Sequence, residues 1–436
     1  MPPSLDRDLS RREFGKAAVA LGGASALAAC LDRFGQEEQE PVPSGVASLE
    51  QLPTRQHAWR DHIRLDDHGN SLLPRHQILL YLNLDADGPP GADARNTVSA
   101  ALSTLDEAYE RSHEGLIHSM AYSPAYFDRF ESSLPDDLDL PPPRRLSAFE
   151  QPDLDDQDAL LHLASDRPEV VLEADEALTG DRETANGVAV DASLTDVFSV
   201  DARRTGFIGA GMPAERQGKL EGIPDSGPVP EKSPLFMGFQ AGFRKNQASE
   251  DYVTLKDGPF AGGTTKHVSN IRQRLDDWYG EQDFDERVME MFSPTHAEEG
   301  LVEGVGNSLG ADNGLTSAMI ENTDEAAREF GRVGHAQKNA RANRDPDGNV
   351  RLLRRHFEST DDDIASLHFP TLQRGIGEFE AVREAMNGAD LTEQTPAVRQ
   401  RVNNGILEYI FVEHRGNFLV PPMDLRVLPT PTGANR

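Results

Sequence analysis

Residues 158–179 read DALLHLASDRPEVVLEADEALT, and within this stretch one structural pattern gives way to another. The first part, 158–166, is a short apolar run typical of a buried strand. The second part, 167–179, has the apolar spacing of a helix, with Pro168 in the first turn, where a missing N–H is tolerated. The stretch therefore predicts a strand that leads directly into a helix.

The segments around this stretch complete a larger unit. Further strands are predicted at 76–85, 115–123 and 195–207, and a helix at 93–111 carries Val98, Leu102 and Leu105 at helical spacing. The resulting order is βαββαβ, which is the split unit that builds a ferredoxin-like half.

A looser version of the same order follows after a segment rich in Gly and Pro. Its predicted strands lie at 262–279, 349–357, 365–374 and 405–422, and its predicted helices at 285–292 and 377–388. We therefore predict an α+β fold of the dimeric α+β barrel type, with two ferredoxin-like halves and packed antiparallel sheets. The halves are expected to cover 75–206 and 207–436.

The charge of the chain limits the kinds of partner that it can bind. The 436 residues include 74 Asp or Glu against 43 Lys or Arg, and only seven of the basic residues are lysine. This composition is typical of a protein that stays hydrated in concentrated salt, where screening limits charge interactions to a few ångströms. An ordinary acidic secreted protein is the alternative. In either case the net charge of −31 repels phosphate backbones, so no nucleic-acid partner is expected.

The N-terminus has the pattern of an export signal. SRREFGK (10–16), with Arg11 and Arg12, precedes thirteen small apolar residues, too few to span a bilayer as a helix. Cys30 is the only cysteine, and LAAC (27–30) resembles a lipobox, although an incidental thiol is the alternative. We predict a twin-arginine signal with lipobox at 1–30 and a polar tether at 31–74. The protein would leave the cell through the twin-arginine translocase and stay lipid-anchored to the outer face of the cytoplasmic membrane.

HAQKNARANRDPDGNVRLLRR (335–355) is basic within an acidic chain. A neutral imidazole is a common ligand of haem iron, and the haem propionates require cationic partners. One histidine followed by several arginines supplies both. Arg354 and His356 are two residues apart in a strand pattern, so they are expected to share a face, whereas Arg355 faces away. A surface segment that balances charge is the alternative interpretation.

Several segments, in this order, resemble those of the dye-decolourising peroxidases, a family of b-type haem peroxidases. The segments that carry the resemblance are YSPAYFDRF (122–130) followed by LSAFEQPDLDDQDALLHLASDRPEVVLEADEAL (146–178), GFQAG (238–242), FAGGTTKHVSNIRQRLDDW (260–278), GHAQKNARANRDPDGNVRLLRRHFE (334–358), SLHFPTLQRGIGEFEAVREAMNG (366–388) and LEYIFVEHRGNFLVPP (407–422). The resemblance implies haem b as the cofactor and His335 as the ligand of its iron. It also implies Arg354 as the distal catalytic arginine. From the basic segment itself, Arg341 and Arg354 are predicted to bind the cofactor as cationic partners of its propionates.

Two positions depart from that family. Ala241 stands where the family has an aspartate that moves protons, and a general acid–base group is worth about 10²–10⁴-fold in rate. Asn404 stands where the family often has an aspartate that accepts from the proximal imidazole. His356 is a hypothetical catalytic replacement for the missing acid, or it braces a propionate instead.

The sequence thus predicts an exported haem peroxidase that reduces peroxide with an electron donor that the sequence does not identify. A haem-binding or haem-handling protein with little peroxidase activity is the alternative, favoured by Ala241 and Asn404. A surface protein that keeps the fold without the cofactor is a third interpretation. Assembly into a homo-oligomer is left open.

Overall fold

The computed structural model describes residues 40–433. Arg11, Arg12 and Cys30, which belong to the predicted signal and lipidation site, lie outside the described residues, as does the first part of the predicted tether. The described strands are β1 (Arg64–Leu65), β2 (Ser71–Leu72), β3 (His76–Leu84), β4 (Ile117–Tyr122), β5 (Asp153–Asp155), β6 (Ala159–Ser165), β7 (Thr184–Ala185), β8 (Val188–Ala189), β9 (Phe198–Phe207), β10 (Thr264–Gln273), β11 (Leu353–Arg354), β12 (Phe357–Ser359), β13 (Ser366–Gln373) and β14 (Ile410–Val420). The described α-helices are α1 (Ala92–Ala108), α2 (Pro124–Phe127), α3 (Pro168–Leu178), α4 (Met212–Arg216), α5 (Glu250–Val253), α6 (Leu275–Glu281), α7 (Phe284–Met291), α8 (Pro294–Glu298), α9 (Ser317–Glu321), α10 (Thr323–Phe330), α11 (His335–Ala340) and α12 (Ile376–Asn387). None of these helices has both the length and the apolar character needed to cross a bilayer.

The first half of the chain forms a four-stranded antiparallel sheet in the order β9-β3-β6-β4. Ile78 of the central strand pairs with Leu163 of β6 on one side and with Thr205 of β9 on the other. The outer face of this sheet is covered by α1 and α3, whose apolar residues pack against the strands. Val98 and Leu102 of α1 share one buried cluster with Ile78. This packed layer is the main core of the first half.

The second half repeats the arrangement with the strand order β12-β13-β10-β14. The two sheets join where Glu358 of β12 pairs with Phe207 of β9, and where Leu419 of β14 pairs with Tyr122 of β4. These two junctions close the sheets into a barrel. The predicted α+β fold with two ferredoxin-like halves is therefore confirmed.

The strand predicted at 349–357 is interrupted, and the cause lies on the neighbouring strand. Pro370 of β13 has no N–H, so it cannot donate to the strand beside it. The pairing consists of β11 on one side of this position and β12 on the other, while the backbone N–H of Arg355 donates to the carbonyl of Pro370. The prediction of one continuous strand was wrong at this position.

The strand predicted at 262–279 is also shorter than expected. It ends at Gln273, and α6 begins at Leu275. Asp276 and Asp277 lie in the first turn of α6, where acidic side chains interact favourably with the positive end of the helix dipole.

The folded body begins before residue 75, so the predicted tether is too long. Gln56 is buried, and its side-chain amide donates to the carbonyls of Met120 and Pro421 at 3.1 and 2.9 Å. Its amide oxygen accepts from the N–H of Met120 at 2.9 Å. Trp59 is 3% exposed. The Gln56 amide lies beside the junction of β4 and β14. The polar composition suggested a solvated spacer here, but the side chains of Gln56 and Trp59 are buried in the folded body.

Candidate functional site

A cavity of about 380 Å³ lies between the outer face of the second sheet and the helices α11 and α12. Its volume falls in the range of small-molecule sites. Alternate residues of β10 face it, namely Ser269, Ile271 and Gln273, and β13 contributes Leu367 and Phe369. The remaining wall is largely apolar and includes Met237, Phe239, Leu352, Phe379, Val382, Met386, Ile406, Leu407, Phe411 and Val412.

His335 contributes an imidazole to the helix side of the cavity. It is the first residue of α11, and Asn339 follows it on the same face one turn later. Gly405, with φ of +58°, lies against the start of this helix, and a Cβ at that position would stand 3.0 Å from the backbone of His335. A glycine at position 405 therefore lets the chain approach the histidine closely.

The His335 imidazole is neutral and has an unpaired nitrogen. Its Nδ1 is buried and has no hydrogen-bond partner among residues 40–433. Burial, with Lys338, Arg354 and Arg383 nearby, lowers the pKa of His335 to about 3. A neutral imidazole is the form that binds metals. The described part of the chain contains no group of three or more His, Cys, Asp or Glu residues that could hold a metal ion.

Arg354 and His356 both line the cavity from the strand side, as their spacing predicts. Arg355 faces away: its guanidinium lies over the ring of Trp59 at 4.6 Å and pairs with Glu250 at 2.6 Å. The alternation of side chains is therefore maintained across the break between β11 and β12.

The polar atoms of Arg354 and His356 are sparsely paired. The Arg354 side chain donates to the amide oxygen of Gln247 at 3.4 Å, and burial lowers the pKa of Arg354 to about 10. His356 is 4% exposed, and its Nδ1 has no partner within residues 40–433. Burial and the adjacent Arg354 lower the pKa of His356 to about 3. A desolvated cation thus stands beside a neutral imidazole with an unpaired nitrogen.

Glu358 is a third residue that faces the cavity in the alternation of Arg354 and His356, and it was not predicted from the sequence. It lines the cavity and is 1% exposed, and its carboxyl accepts from the N–H of Phe236 at 2.8 Å and from the side chain of Gln273 at 2.5 Å. Burial raises the pKa of Glu358 to about 8. The alternation that relates Arg354 to His356 would also have indicated position 358.

A second group of cations lies along another part of the wall. Arg383 and Arg415 share the carboxylate of Glu150, at 3.0 and 3.1 Å. The side chain of Arg415 is 1% exposed, and its Nε and Nη1 have no partner in the described chain. An unpaired buried guanidinium nitrogen is costly unless an anion or polar group comes to it. None of these three residues was predicted from the sequence.

Arg341, predicted to bind the cofactor, does not line the cavity. Its guanidinium pairs with Asp390 near the surface. It follows His335 by six residues, which places it on a different side of the helical path. The prediction for Arg341 was wrong because a basic segment in a helix distributes its charges around the helix axis.

Asn404 does not contact the imidazole of His335. Its amide oxygen accepts from the buried ammonium of Lys338 at 2.7 Å, and its amide nitrogen donates to the carbonyls of Asn387 and Gln400. Lys338 also donates to the carbonyls of Met386 and Asn404. At this position the amide therefore satisfies the buried lysine and not the imidazole.

Ala241 lies at the cavity, where the sequence comparison placed it. Its methyl group can neither donate nor accept a proton. The titratable side chains on the strand side of the cavity are Arg354, His356 and Glu358.

A buried carboxyl behind α11 makes stability depend on pH. Glu290 is 0% exposed, both of its oxygens lack hydrogen-bond partners within the described residues, and burial raises its pKa to about 8. Between pH 4.5 and pH 8 the unfolded chain releases this proton and the folded chain keeps it. Stability therefore falls as pH rises, by about 1.4 kcal/mol per pH unit from this group.

We expect Glu290→Gln to remove this contribution to the slope. The free energy of unfolding, measured by denaturant titration at pH 5 and pH 8, should fall less steeply in the variant. Asp285→Asn, on the exposed side of the same helix, should leave the slope unchanged. Equal slopes in Glu290→Gln and the wild type would contradict a neutral buried carboxyl.

The fold and the cavity define a barrel of two ferredoxin-like halves with a ligand cavity in the second half, which is the fold of the DyP-type peroxidases. The encapsulated DyP-type peroxidase of Mycobacterium smegmatis is similar over 83% of this chain and 97% of its own, with a TM-score of 0.54 at 15% identity. A DypB variant of Rhodococcus jostii in complex with heme is similar over 81% and 96%, with a TM-score of 0.52 at 15% identity. A dye-decolorizing peroxidase of Bacteroides thetaiotaomicron is similar over 84% and 98%, with a TM-score of 0.51 at 14% identity.

At the level of sequence, the chain matches a family model that does not carry the name of the DyP-type peroxidases. The model of the family of unknown function DUF7405 matches residues 74–422, and the chain belongs to this family. A comparison with curated proteins gives no match.

Proposed function

We propose that the protein binds one haem b in this cavity and uses it to reduce peroxide. The observation that carries the proposal is the neutral, unpaired imidazole of His335 in an apolar cavity that Arg354 also lines. The fold supports it, since one of the solved structures that share the fold is in complex with heme. At 13–15% identity this likeness speaks for the fold, so the residues must carry the chemistry.

The residues present fit a haem. His335 lines the cavity and would bind the iron through its imidazole, whose pKa burial lowers to about 3, so that the ring is neutral at pH 7. Arg415, with its unpaired nitrogens, and Arg383 would hold the propionates by charge-assisted hydrogen bonds. The apolar side chains of β13 and α12 would pack against the macrocycle.

Two side chains are positioned to act on a bound peroxide. Bound haem iron would supply the redox chemistry that cleaves the O–O bond. The desolvated guanidinium of Arg354 would stabilise the negative charge that develops on oxygen, and such a preorganised charge acts most strongly where water is excluded. His356, which lines the cavity beside Arg354, would accept a proton from peroxide and return it to the departing oxygen. In the balance, H₂O₂ takes up two electrons and two protons and yields two water molecules, and the donor supplies the electrons.

The direct test is peroxide-dependent oxidation of a chromogenic donor by the haem-loaded protein, measured in high salt. We expect turnover well above that of free hemin at the same concentration. Turnover equal to free hemin, with haem still bound, would refute the peroxidase and favour the second candidate.

That second candidate is a haem-binding or haem-handling protein with little peroxidase activity. Ala241 favours it, because the cavity lacks a carboxyl group at that position. The two candidates share the same haem site and differ in whether His356 replaces the missing acid. His356→Ala would lower peroxide turnover about 10²-fold or more under the first and change nothing under the second.

The propionate anchor can be tested separately from catalysis. We expect Arg415→Met to weaken haem binding about tenfold or more, because a charge-assisted hydrogen bond contributes about 1.5–3 kcal/mol. The measurement is the rate of haem transfer to apomyoglobin. Arg341→Met, outside the cavity, is the matched control, and equal transfer rates in the two variants would contradict the assignment.

We also propose that the protein is exported through the twin-arginine translocase and held at the membrane by a lipid on Cys30. The support is the pattern around Arg11, Arg12 and Cys30. The acidic, lysine-poor composition supports a working environment of concentrated salt. Cys30→Ser should release the protein from the membrane fraction, and continued membrane association would contradict the anchor.

A further inference from the structure

A buried lysine lies one helical turn after His335 on the α11 side of the cavity. Lys338 is 0% exposed, and it follows His335 by three residues, so the two side chains occupy neighbouring positions of one helix face. Burial, and after it the charge of Lys338, lower the pKa of His335 to about 3. The lysine is therefore close enough to act electrostatically on the imidazole that would bind the iron.

The contacts of Lys338 indicate that it is protonated. Its nitrogen donates to the carbonyls of Met386 and Asn404, at 2.8 and 2.7 Å, and to the side-chain oxygen of Asn404 at 2.7 Å. An ammonium has three N–H groups and a neutral amine has two, so only the charged form satisfies all three oxygens. Burial lowers the pKa of Lys338, whereas these three acceptors stabilise its charged form.

The charge of Lys338 is solvated by these oxygens but is not neutralised by them. All three belong to carbonyl or amide groups. Two carboxyl groups act on the lysine from further away, those of Glu290 and Asp390. Burial raises the pKa of Glu290 to about 8, so that this group is uncharged at pH 7, and Asp390 pairs with Arg341. A largely uncompensated positive charge therefore lies beside α11.

Two glycines make room for the lysine and for the amide that it contacts. A Cβ at Gly405 would stand 3.0 Å from the backbone of His335 and 3.2 Å from Cε of Lys338. A Cβ at Gly388 would stand 2.7 Å from the side-chain oxygen of Asn404 and 3.3 Å from Cδ of Lys338. Both glycines have a positive φ, a conformation in which other residues are strained. The backbone thus encloses the ammonium closely and holds it in one place.

The imidazole of His335 has no acceptor on this side of the cavity. Its Nδ1 has no partner among residues 40–433, and the amide oxygen of Asn404 accepts from Lys338 instead. A carboxylate acceptor would make a ligating imidazole more basic and the iron more electron-rich. A neutral imidazole with a positive charge nearby has the opposite effect, because it favours the iron state of lower charge.

We propose that Lys338 raises the reduction potential of the bound haem and so favours its ferrous state. The inference rests on haem binding, which is the first part of the proposed function, and does not depend on peroxide reduction. One electron from an external one-electron reductant lowers the charge at the iron by one, and no bond to Lys338 forms or breaks. Lys338 is a positioning residue in this role, since it acts through its charge and not by contact with the iron.

The test is a spectroelectrochemical titration of the haem-loaded protein with dithionite and ferricyanide at one pH and one salt concentration. Lys338→Met removes the charge and keeps a side chain of similar length. At the midpoint potential of the wild type, we expect the ratio of ferrous to ferric haem to fall about tenfold in this variant, which is about 59 mV for a one-electron couple. Lys338→Arg keeps the charge and should keep the ratio within about twofold.

Arg341→Met is the matched control. Arg341 lies three residues after Lys338, and its charge is paired with Asp390 near the surface, so the control should titrate as the wild type does. A lysine with only a structural role would lower the free energy of unfolding when replaced and would leave the potential unchanged. A wild-type potential in Lys338→Met, or an equal shift in the control, would overturn the proposal.

A second measurement needs no variant and covers the case in which Lys338→Met does not fold. The resonance Raman spectrum of the reduced wild-type protein reports the iron–imidazole stretch. We expect the frequency of a ferrous haem complex with neutral imidazole, and the higher frequency of an imidazolate complex would overturn the proposal. Haem that binds and titrates as expected without peroxide turnover would refute the peroxidase and leave this inference standing, whereas a protein that binds no haem would refute both.

Discussion

Replacing His335 with glycine is expected to replace the sharp Soret band of the haem-loaded protein with the broad band of free hemin. The imidazole is the only neutral nitrogen ligand that α11 presents to the cavity, and its Nδ1 is unpaired within the described chain. Its removal leaves a space of the size of one imidazole. Added imidazole should therefore enter this space and restore the band.

The control for this experiment is Asn339→Ala. Asn339 lines the same cavity one helical turn further along, and its loss should leave the spectrum of the bound haem unchanged. A glycine variant at position 335 that retains the wild-type spectrum would show that another residue binds the iron.

Replacing Arg354 with leucine is expected to lower kcat/KM for peroxide by about 10²–10³-fold and to leave haem binding in place. Burial lowers the pKa of this guanidinium to about 10, and within residues 40–433 its side chain donates to Gln247 alone. Its charge is therefore available for oxygen, and leucine has a similar volume without charge. Stopped-flow absorbance after mixing with peroxide measures the effect.

Arg351→Leu is the matched control for that variant. Arg351 precedes Arg354 by three residues and lies near Glu378, outside the cavity. It should react with peroxide at the wild-type rate. A comparable loss in the two variants would mean that charge balance of the segment, not a position beside peroxide, explains the effect.

The local patterns of the sequence predicted most of the fold. Apolar runs located β3, β4, β6 and β9, and helical spacing located α1 and α3, because each element buries one face against its neighbours. Closure of the barrel could not be predicted in the same way. It depends on Glu358 pairing with Phe207 and Leu419 with Tyr122, which are contacts between distant parts of the chain.

The residues of the candidate site could be predicted only where they lie on a single strand or helix. Alternation along a strand correctly placed Arg354 and His356 on one side and Arg355 on the other. Arg383 and Arg415 come from α12 and β14 and meet only through Glu150, so no local pattern indicates them.

The number of cations in the basic segment 335–355 did not reveal which of them reaches the cavity. Of its cations, Lys338 is held by buried carbonyls and Arg341 by Asp390. Arg355 is held by Glu250, and Arg354 alone reaches the cavity. Concentrated charge in a sequence therefore indicates a region, and the geometry of each element decides which cation is free.

The most direct test of the account is a titration of the purified, haem-free protein with hemin, followed by absorbance. We predict a sharp Soret band that saturates at one haem per chain and that does not form in the His335→Gly variant without imidazole. A wild-type titration that only reproduces the spectrum of free hemin would contradict the central claim.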